Sequence, residues 1–258
     1  MLSEYRPIWV YADENEIATD LRVRVKGRSN LTLLPDFYTV EIYNISATDE
    51  SYLRNARTIT VKVDRESIVC TGIIEGIYTH EERANTVTTV SVSDGGDFWQ
   101  KTVNISIGKG ASVFDVIRTI VDGSATIGVF LCEDIRMPRG QVCSGRVAEI
   151  VETFARSLHA RAYITENVLN LVSKGSVTNT FNLNAEDTIG SLDTMDGVYV
   201  LKIKGRSFSV GDYIGYQGKN MRIIARAVSL DSQEGDWDIE ISMVEDSMFT
   251  IEEMEGGW

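Results

Sequence analysis

Residues Val40–Ser46 read VEIYNIS. Successive side chains of a strand point to opposite faces, and this run alternates in that way. It ends on Asn44, and the SATDESYL that follows (46–53) is patterned like a helical turn, not a hairpin. A sheet interrupted by a short helix at this point is the feature to be explained.

Working outward, the first third of the chain is β-patterned almost throughout. PIWVYA (7–12), DLRVRVK (20–26), FYTVEIYNIS (37–46), RTITVKVD (57–64), SIVCTGIIEGIYTHE (67–81) and NTVTTVSVSD (85–94) are rich in Val, Ile, Thr and Tyr. In DLRVRVK, Leu21, Val23 and Val25 alternate with Arg22, Arg24 and Lys26, which predicts a strand with one wet face. Regular spacing with polar breaks predicts an antiparallel barrel or sandwich. Between the third and fourth of these strands, ATDESYLRN (47–55) is polar except for Tyr52 and Leu53 and is expected to be a short helix or turn.

The period then changes. GASVFDVIRTIVDG (110–123) places Ser112 as an N-cap, with Asp115 three residues on as a capping box. Val113, Val116, Ile117, Ile120 and Val121 share a face, and Gly123 closes the helix. A second helix is expected from about Ser144 in SGRVAEIVETFARSLHA, with Val147, Ile150, Val151, Phe154 and Leu158 as its stripe. RAYITENVLNLVSKG (161–175) predicts a hairpin turning at Glu166–Asn167. The helices are expected to pack on Tyr163, Ile164, Leu169 and Leu171 of that hairpin.

The last third returns to β with TNTFNLN, GVYVLKIKG, DYIGYQGKNMRIIARAVSLD and GDWDIEISMVED. Gly211–Asp212 and Gly218–Lys219 mark turns, and SQEGDW (232–237) is a hairpin tip. A comparable long hairpin occurs near each end of the chain, which duplication or the sameness of antiparallel hairpins would equally produce.

Composition sets bounds on function. The 258 residues with 43% hydrophobic content can build substantial cores. Apolar runs such as VYVL and IGVFLC are far shorter than the roughly 20 residues of a membrane span. The start, MLSEYRPIWVYADENE, shows no basic-then-apolar signal pattern, so a soluble, intracellularly made chain is expected. Net charge is −13, no Lys or Arg follows Arg226, and ten acids lie between Asp231 and Glu255. Such a balance excludes a grip on nucleic-acid backbone.

Catalytic and metal motifs fail in turn. His80 opens HEERA, but Ala84 stands where the second histidine of a zinc-protease motif belongs. Around GKG (108–110), Val103 replaces the leading Gly of a P-loop and Gly110 replaces its Ser or Thr. DSQEGDWD (231–238) has its Gly one place too early for an EF-hand loop. His159, at the end of the second helix, is expected in a helix-terminal or core role. Cys70, Cys132 and Cys143 have no disulfide or zinc spacing and are expected to be reduced thiols. No catalytic, metal or cofactor residue is therefore assigned, and no enzymatic activity or cofactor is expected.

Taken together, FYTVEIYNIS, its helical crossing, RTITVKV and SIVCTGIIEGI resemble the opening of tailed-phage baseplate and tail-tip hub proteins, with their "evyNLs" strand and later "lf.G.I" phrase. The central GASVFDVIRTIV and GRVAEIVETFARSLHARAYITENVLNLVSKG resemble that family's α/β domain. FSVGDYIGYQGKNMRIIARAVSLDSQEGDWDIEISM resembles its final barrel. The pattern departs at IVCTG, where no aromatic precedes Gly72. The resemblance implies a mainly β fold with a small α/β insert. Two antiparallel tube-like β-barrel domains (1–105 and 176–258) would flank a two-helix plus hairpin domain (106–175). It further implies a non-enzymatic homotrimeric ring adapting a sixfold tail tube to a threefold spike or tip, with a channel for DNA. The expected partners are tube or distal tail, spike or tip, and tape measure proteins, without specific nucleic-acid binding or membrane insertion. The implied location is the virion tail, after synthesis in the bacterial host cytoplasm. The alternatives are the hub of a phage-derived contractile injection system, and a tail-tip adhesin or carbohydrate-binding β-protein. Trp9, Trp99 and Trp237 lie in or beside strands and are expected in core or interface, not on a sugar platform.

Overall fold

The computed structural model describes residues 6–18, 20–63, 65–204, 208–233 and 237–249. The expected hairpin tip at Glu234–Asp236, the acids Glu252, Glu253 and Glu255, and Trp258 lie outside them.

The N-terminal β segment comprises β1 (Ile8–Ala12), β2 (Asn15–Ile17), β3 (Val23–Asn30), β4 (Phe37–Tyr43), β5 (Thr58–Val63), β6 (Ser67–Glu82) and β7 (Asn85–Ser93), with α1 (Ala47–Asn55) between β4 and β5. The alternation holds within β3, where Val23 and Val25 are buried and Arg24 and Lys26 lie on the wetter side, while Leu21 just ahead of it is half-buried. The interruption after β4 has a local cause. Asn44 takes a left-handed backbone (φ 56°), which Asn tolerates better than most residues. Its Oδ1 accepts from the Thr86 amide at 2.9 Å and its Nδ2 donates to Asn85 at 3.0 Å, tying the strand end to β7. Ser46 then caps α1, its hydroxyl accepting from the Asp49 amide at 3.0 Å. The helix contributes one fully buried residue, Leu53, to the core beneath it.

The middle of the chain holds β8 (Thr102–Ile107), α2 (Val113–Val121), β9 (Thr126–Leu131), β10 (Gln141–Arg146), α3 (Val147–Ser157), β11 (Ala160–Thr165) and β12 (Val168–Ser173). All five stripe residues of α2 are buried. The Ser112 hydroxyl accepts from the Asp115 amide at 3.2 Å and donates to Asp134 at 2.7 Å, so the cap is shared with the loop before β10. Three expectations are corrected. The second helix starts at Val147, because Ser144–Arg146 pair with Asn104–Thr102 as the end of β10. Ile150 is only partly buried, and Ala155 takes its place in the stripe. The hairpin is also not alone: β9 adds to β12 in parallel, making a three-stranded sheet, and β8–β10 form a separate pair.

The last segment comprises β13 (Thr180–Asn182), β14 (Thr188–Met195), β15 (Val198–Ile203), β16 (Tyr213–Tyr216), β17 (Lys219–Asp231) and β18 (Trp237–Glu245). It does not stand apart from the first. β17 pairs antiparallel with β3 from Ala225–Asn30 to Asp231–Arg24, joining both segments in one 13-stranded sheet. In that sheet the central hairpin β3–β4 is flanked by β17–β18 on one side and β7–β6 on the other. Each flanking hairpin carries a register shift, at Ile223/Ala225 and at Ile74/Gly76. The buried side chains accordingly form two clusters: one shared by the first and last segments, the other built mainly on α2, α3 and the β11–β12 hairpin.

Candidate functional site

The two clusters meet at the β11–β12 hairpin. Ala160, Ala162 and Ile164 on β11 and Leu169 and Leu171 on β12 face the helices. Tyr163 and Val172 face the 13-stranded sheet's core instead. Tyr163, expected against the helices, is thus a contact of the other unit, as the period of two along a strand requires. Glu166 and Asn167 turn the hairpin with φ 55° and 62°, the paired positive angles of a tight two-residue turn.

Polar side chains lock this junction. Asp94, just past β7, is 4% exposed and accepts the amides of Glu166 at 2.7 Å, Asn167 at 2.6 Å and Gly95 at 2.7 Å. Arg226 on β17 is 2% exposed and donates to Phe208 O at 3.0 Å, Tyr38 Oη at 3.0 Å and Val69 O at 2.8 Å. Gly27, paired between Tyr38 and Val228, makes room for the tyrosine: a Cβ there would stand 2.1 Å from the ring. Arg222, four residues earlier on β17, is wholly buried between the Tyr213 and Phe249 rings, each 4.6 Å from its guanidinium. It donates to Ser173 O at 3.3 Å and to Ser176 O, holding the far end of β12. Sequence patterning reads an arginine in a strand as a wet-face residue, and here two such arginines are interior.

Four carboxyls surround this region. Burial, and then Asp94 nearby, push Asp36 up to about 7 against the lowering pull of Asn30 and Arg226. Burial likewise raises Asp94, Glu166 and Asp212, each also lowered by Arg226.

Other chemistry-bearing residues are scattered. His80 stacks on Tyr78 at 5.4 Å in the outer half of β6. His159 is exposed at the end of α3 with φ 49°, a helix-terminal place as expected. The three cysteines are free thiols, and burial pushes Cys70 up to about 12 and Cys132 to about 11. No group of three or more metal-ligating side chains is assembled among the described residues. Trp237 is buried under Arg6, Trp9 lies under Arg65, and Trp99 donates to Asp94 O at 2.6 Å; none of the three lies bare on the surface.

Outer surfaces are more open. A groove of about 640 Å³ beside β4, β7 and β6 is lined by Phe37, Ile73, Glu75, Asp97 and Trp99, among others. Leu34, Phe37, Tyr78, Val142 and Met195 are large apolar residues more than half exposed. β2 and β14 are the terminal strands of the long sheet. Four of the described acids after Arg226 are ion-paired. Asp231 is held by Arg22 and Arg24 at 2.7 and 2.6 Å, Asp238 by Lys202, Glu245 by Lys219 and Asp246 by Arg222.

No protein-family profile matches the chain, and no curated protein matches it in sequence. Among solved structures it is similar to the Escherichia coli c3393 protein, described as a type VI secretion component with structural similarity to the T4 bacteriophage tail proteins gp27 and gp5. The TM-score is 0.66 at 10% identity, over 93% of this chain and 76% of that one. It is similar to a tail protein of Neisseria meningitidis (TM-score 0.66, 12% identity, 94% of this chain and 97% of that one). It is also similar to the 43 kDa tail protein of prophage MuSo2 from Shewanella oneidensis (0.67, 11%, 94% and 97%). The chain shares the fold of these tail and secretion-system proteins, and the mainly β character read from the sequence agrees with it.

Proposed function

We propose that the protein is the structural hub of a phage tail baseplate or tail tip, without enzymatic activity. Likeness in fold to tail proteins over more than nine-tenths of the chain carries this reading. Three copies form a ring in which each contributes two tube-like units, drawn from 1–105 and 176–258, with 106–175 as the α/β part between them. Six similar units then face a sixfold tail tube, while the threefold body receives a spike or tip and leaves a channel for DNA. The joined sheet supports this arrangement, because the β3–β4 hairpin carries a bulged hairpin on either side. Its terminal strands β2 and β14 leave backbone groups that a neighbouring copy can pair. The partners are then tube or distal tail, spike or tip, and tape measure proteins, and the location is the virion tail. Likeness to the c3393 protein favours a second reading, the same hub role in a phage-derived injection system. Light scattering of the purified chain tests the ring: the hub reading requires a species of three chain masses, and a strict monomer at high concentration counts against it.

A further inference from the structure

We propose that the cleft between the three-stranded sheet and the turn at 209–212 receives the lysine side chain of a partner protein, with its ammonium bound by Glu166 and Asp212. The site lies within one chain and does not depend on the ring. The cleft, of about 320 Å³, opens on the face of that sheet turned away from α2 and α3. Tyr163 stands opposite Asn170 and Thr165 opposite Val168 in the β11–β12 register, so these four side chains share one face. The other wall is the segment 177–179 and the turn 209–212. Thr178 Oγ1 donates to Gly211 O at 2.9 Å and Asn179 Nδ2 to Asp212 at 3.0 Å, which fixes that wall. Gly211 lets the two walls meet, because a Cβ there would stand 2.3 Å from the Tyr163 hydroxyl.

Two independent features point to a cationic occupant. Ser209 ties the two acids together, its amide donating to Asp212 at 3.0 Å and its hydroxyl to Glu166 at 3.4 Å. Neither acid forms an ion pair among the described residues, and Arg226 spends its guanidinium on Phe208 O, Tyr38 Oη and Val69 O. Burial raises both carboxyls, as expected of acids without a cation beside them. Separately, Tyr163 is 3% exposed and Thr165 9%, and neither hydroxyl has a hydrogen-bond partner among the described residues, although both side chains line the cleft. Buried hydroxyls are ordinarily bonded, so this pair calls for a polar atom inside the cleft. Carboxylates only accept, so the occupant must donate, and an ammonium carries three N–H donors. Val129, Leu131, Val168, Val177 and Val210 supply an apolar lining for an aliphatic stem. A free polyamine, charged along its length, would press a second ammonium against that lining.

Methyl NMR of the Val- and Leu-labelled chain, titrated with Nα-acetyl-lysine methylamide, reads the site. Saturable shifts are expected at Val129, Leu131, Val168, Val177 and Val210. Binding should be about tenfold weaker for the norleucine analogue, which lacks the ammonium. Glu166→Gln should weaken binding of the lysine probe about tenfold and Tyr163→Phe about threefold, with methyl shifts elsewhere unchanged. The proposal is overturned if no saturable shift appears at these methyls, or if the norleucine analogue binds as well as the lysine probe. Undiminished affinity in both folded variants overturns it too. Tighter binding of spermidine than of the lysine probe overturns the assignment to a partner's side chain.

Discussion

Replacing Arg226 with Met tests what holds the two β segments in one body. The side chain is 2% exposed and donates to Phe208 O, Tyr38 Oη and Val69 O, at 3.0, 3.0 and 2.8 Å. Met fills much of the volume, so the loss is of hydrogen bonds and of the countercharge to Asp94 and Glu166, not of packing. Removing one member of a buried charged set costs about 3–5 kcal/mol, a large part of a domain's total stability. The loss also has a pH signature. Arg226 lowers Asp36, Asp94, Glu166 and Asp212, all of which burial has raised. Without it their folded-state values climb further above the unfolded ones. A raised carboxyl contributes stability below its unfolded value and loses it as pH rises through the folded value. The variant should therefore lose more at pH 7.5 than at pH 5, by about 1 kcal/mol or more for each unit of added shift. Urea denaturation followed by circular dichroism at both pH values measures this. A loss under 1 kcal/mol, or an equal loss at both, would refute the reasoning.

Phe154→Ala in α3 removes a side chain 4% exposed, packed in the cluster of helix and hairpin residues, and should cost about 3–5 kcal/mol in the same denaturation assay; an unchanged melt counts against that packing. Gly27→Ala would drive a methyl into the Tyr38 ring, so a loss of about 1–3 kcal/mol is expected, with weaker coupling to Arg226→Met in a double-mutant cycle. No clearing is expected when the pure protein is tested on peptidoglycan by zymography; clearing abolished by a single carboxylate substitution would reverse the non-enzymatic reading.

Local patterning made most elements legible. Leu21–Lys26 alternates because one face is dry and the other wet, and the stripes of α2 and α3 follow the helical period. The helix after Asn44 was legible because a polar cap and a polar run interrupt the alternation. β9 was not read as a strand: TIGVFL is partly buried along its length without strict alternation, so its apolar run carries no face. The early start assigned to α3 has a similar origin, since Ser144 is a good cap residue in isolation but is spent on pairing with Asn104. Long-range facts were least visible. Nothing local says that β17 pairs with β3, and two arginines on β17 look like a solvated face until the sheet buries them. The partners of the acidic run after Arg226 are equally non-local, because Asp231, Asp238, Glu245 and Asp246 pair with cations at β3, β15 and β17.

The proposed hub role turns on symmetry and on the wall of the proposed channel. Cryo-electron microscopy of the assembled protein, alone or on the particle, shows both at once. The expected result is a closed ring of three chains in which six β units are arranged about the axis, around a lumen whose lining is acidic or neutral so that DNA slides without counterion-release binding. A ring of six identical chains, or a lumen lined by Lys and Arg, would contradict it.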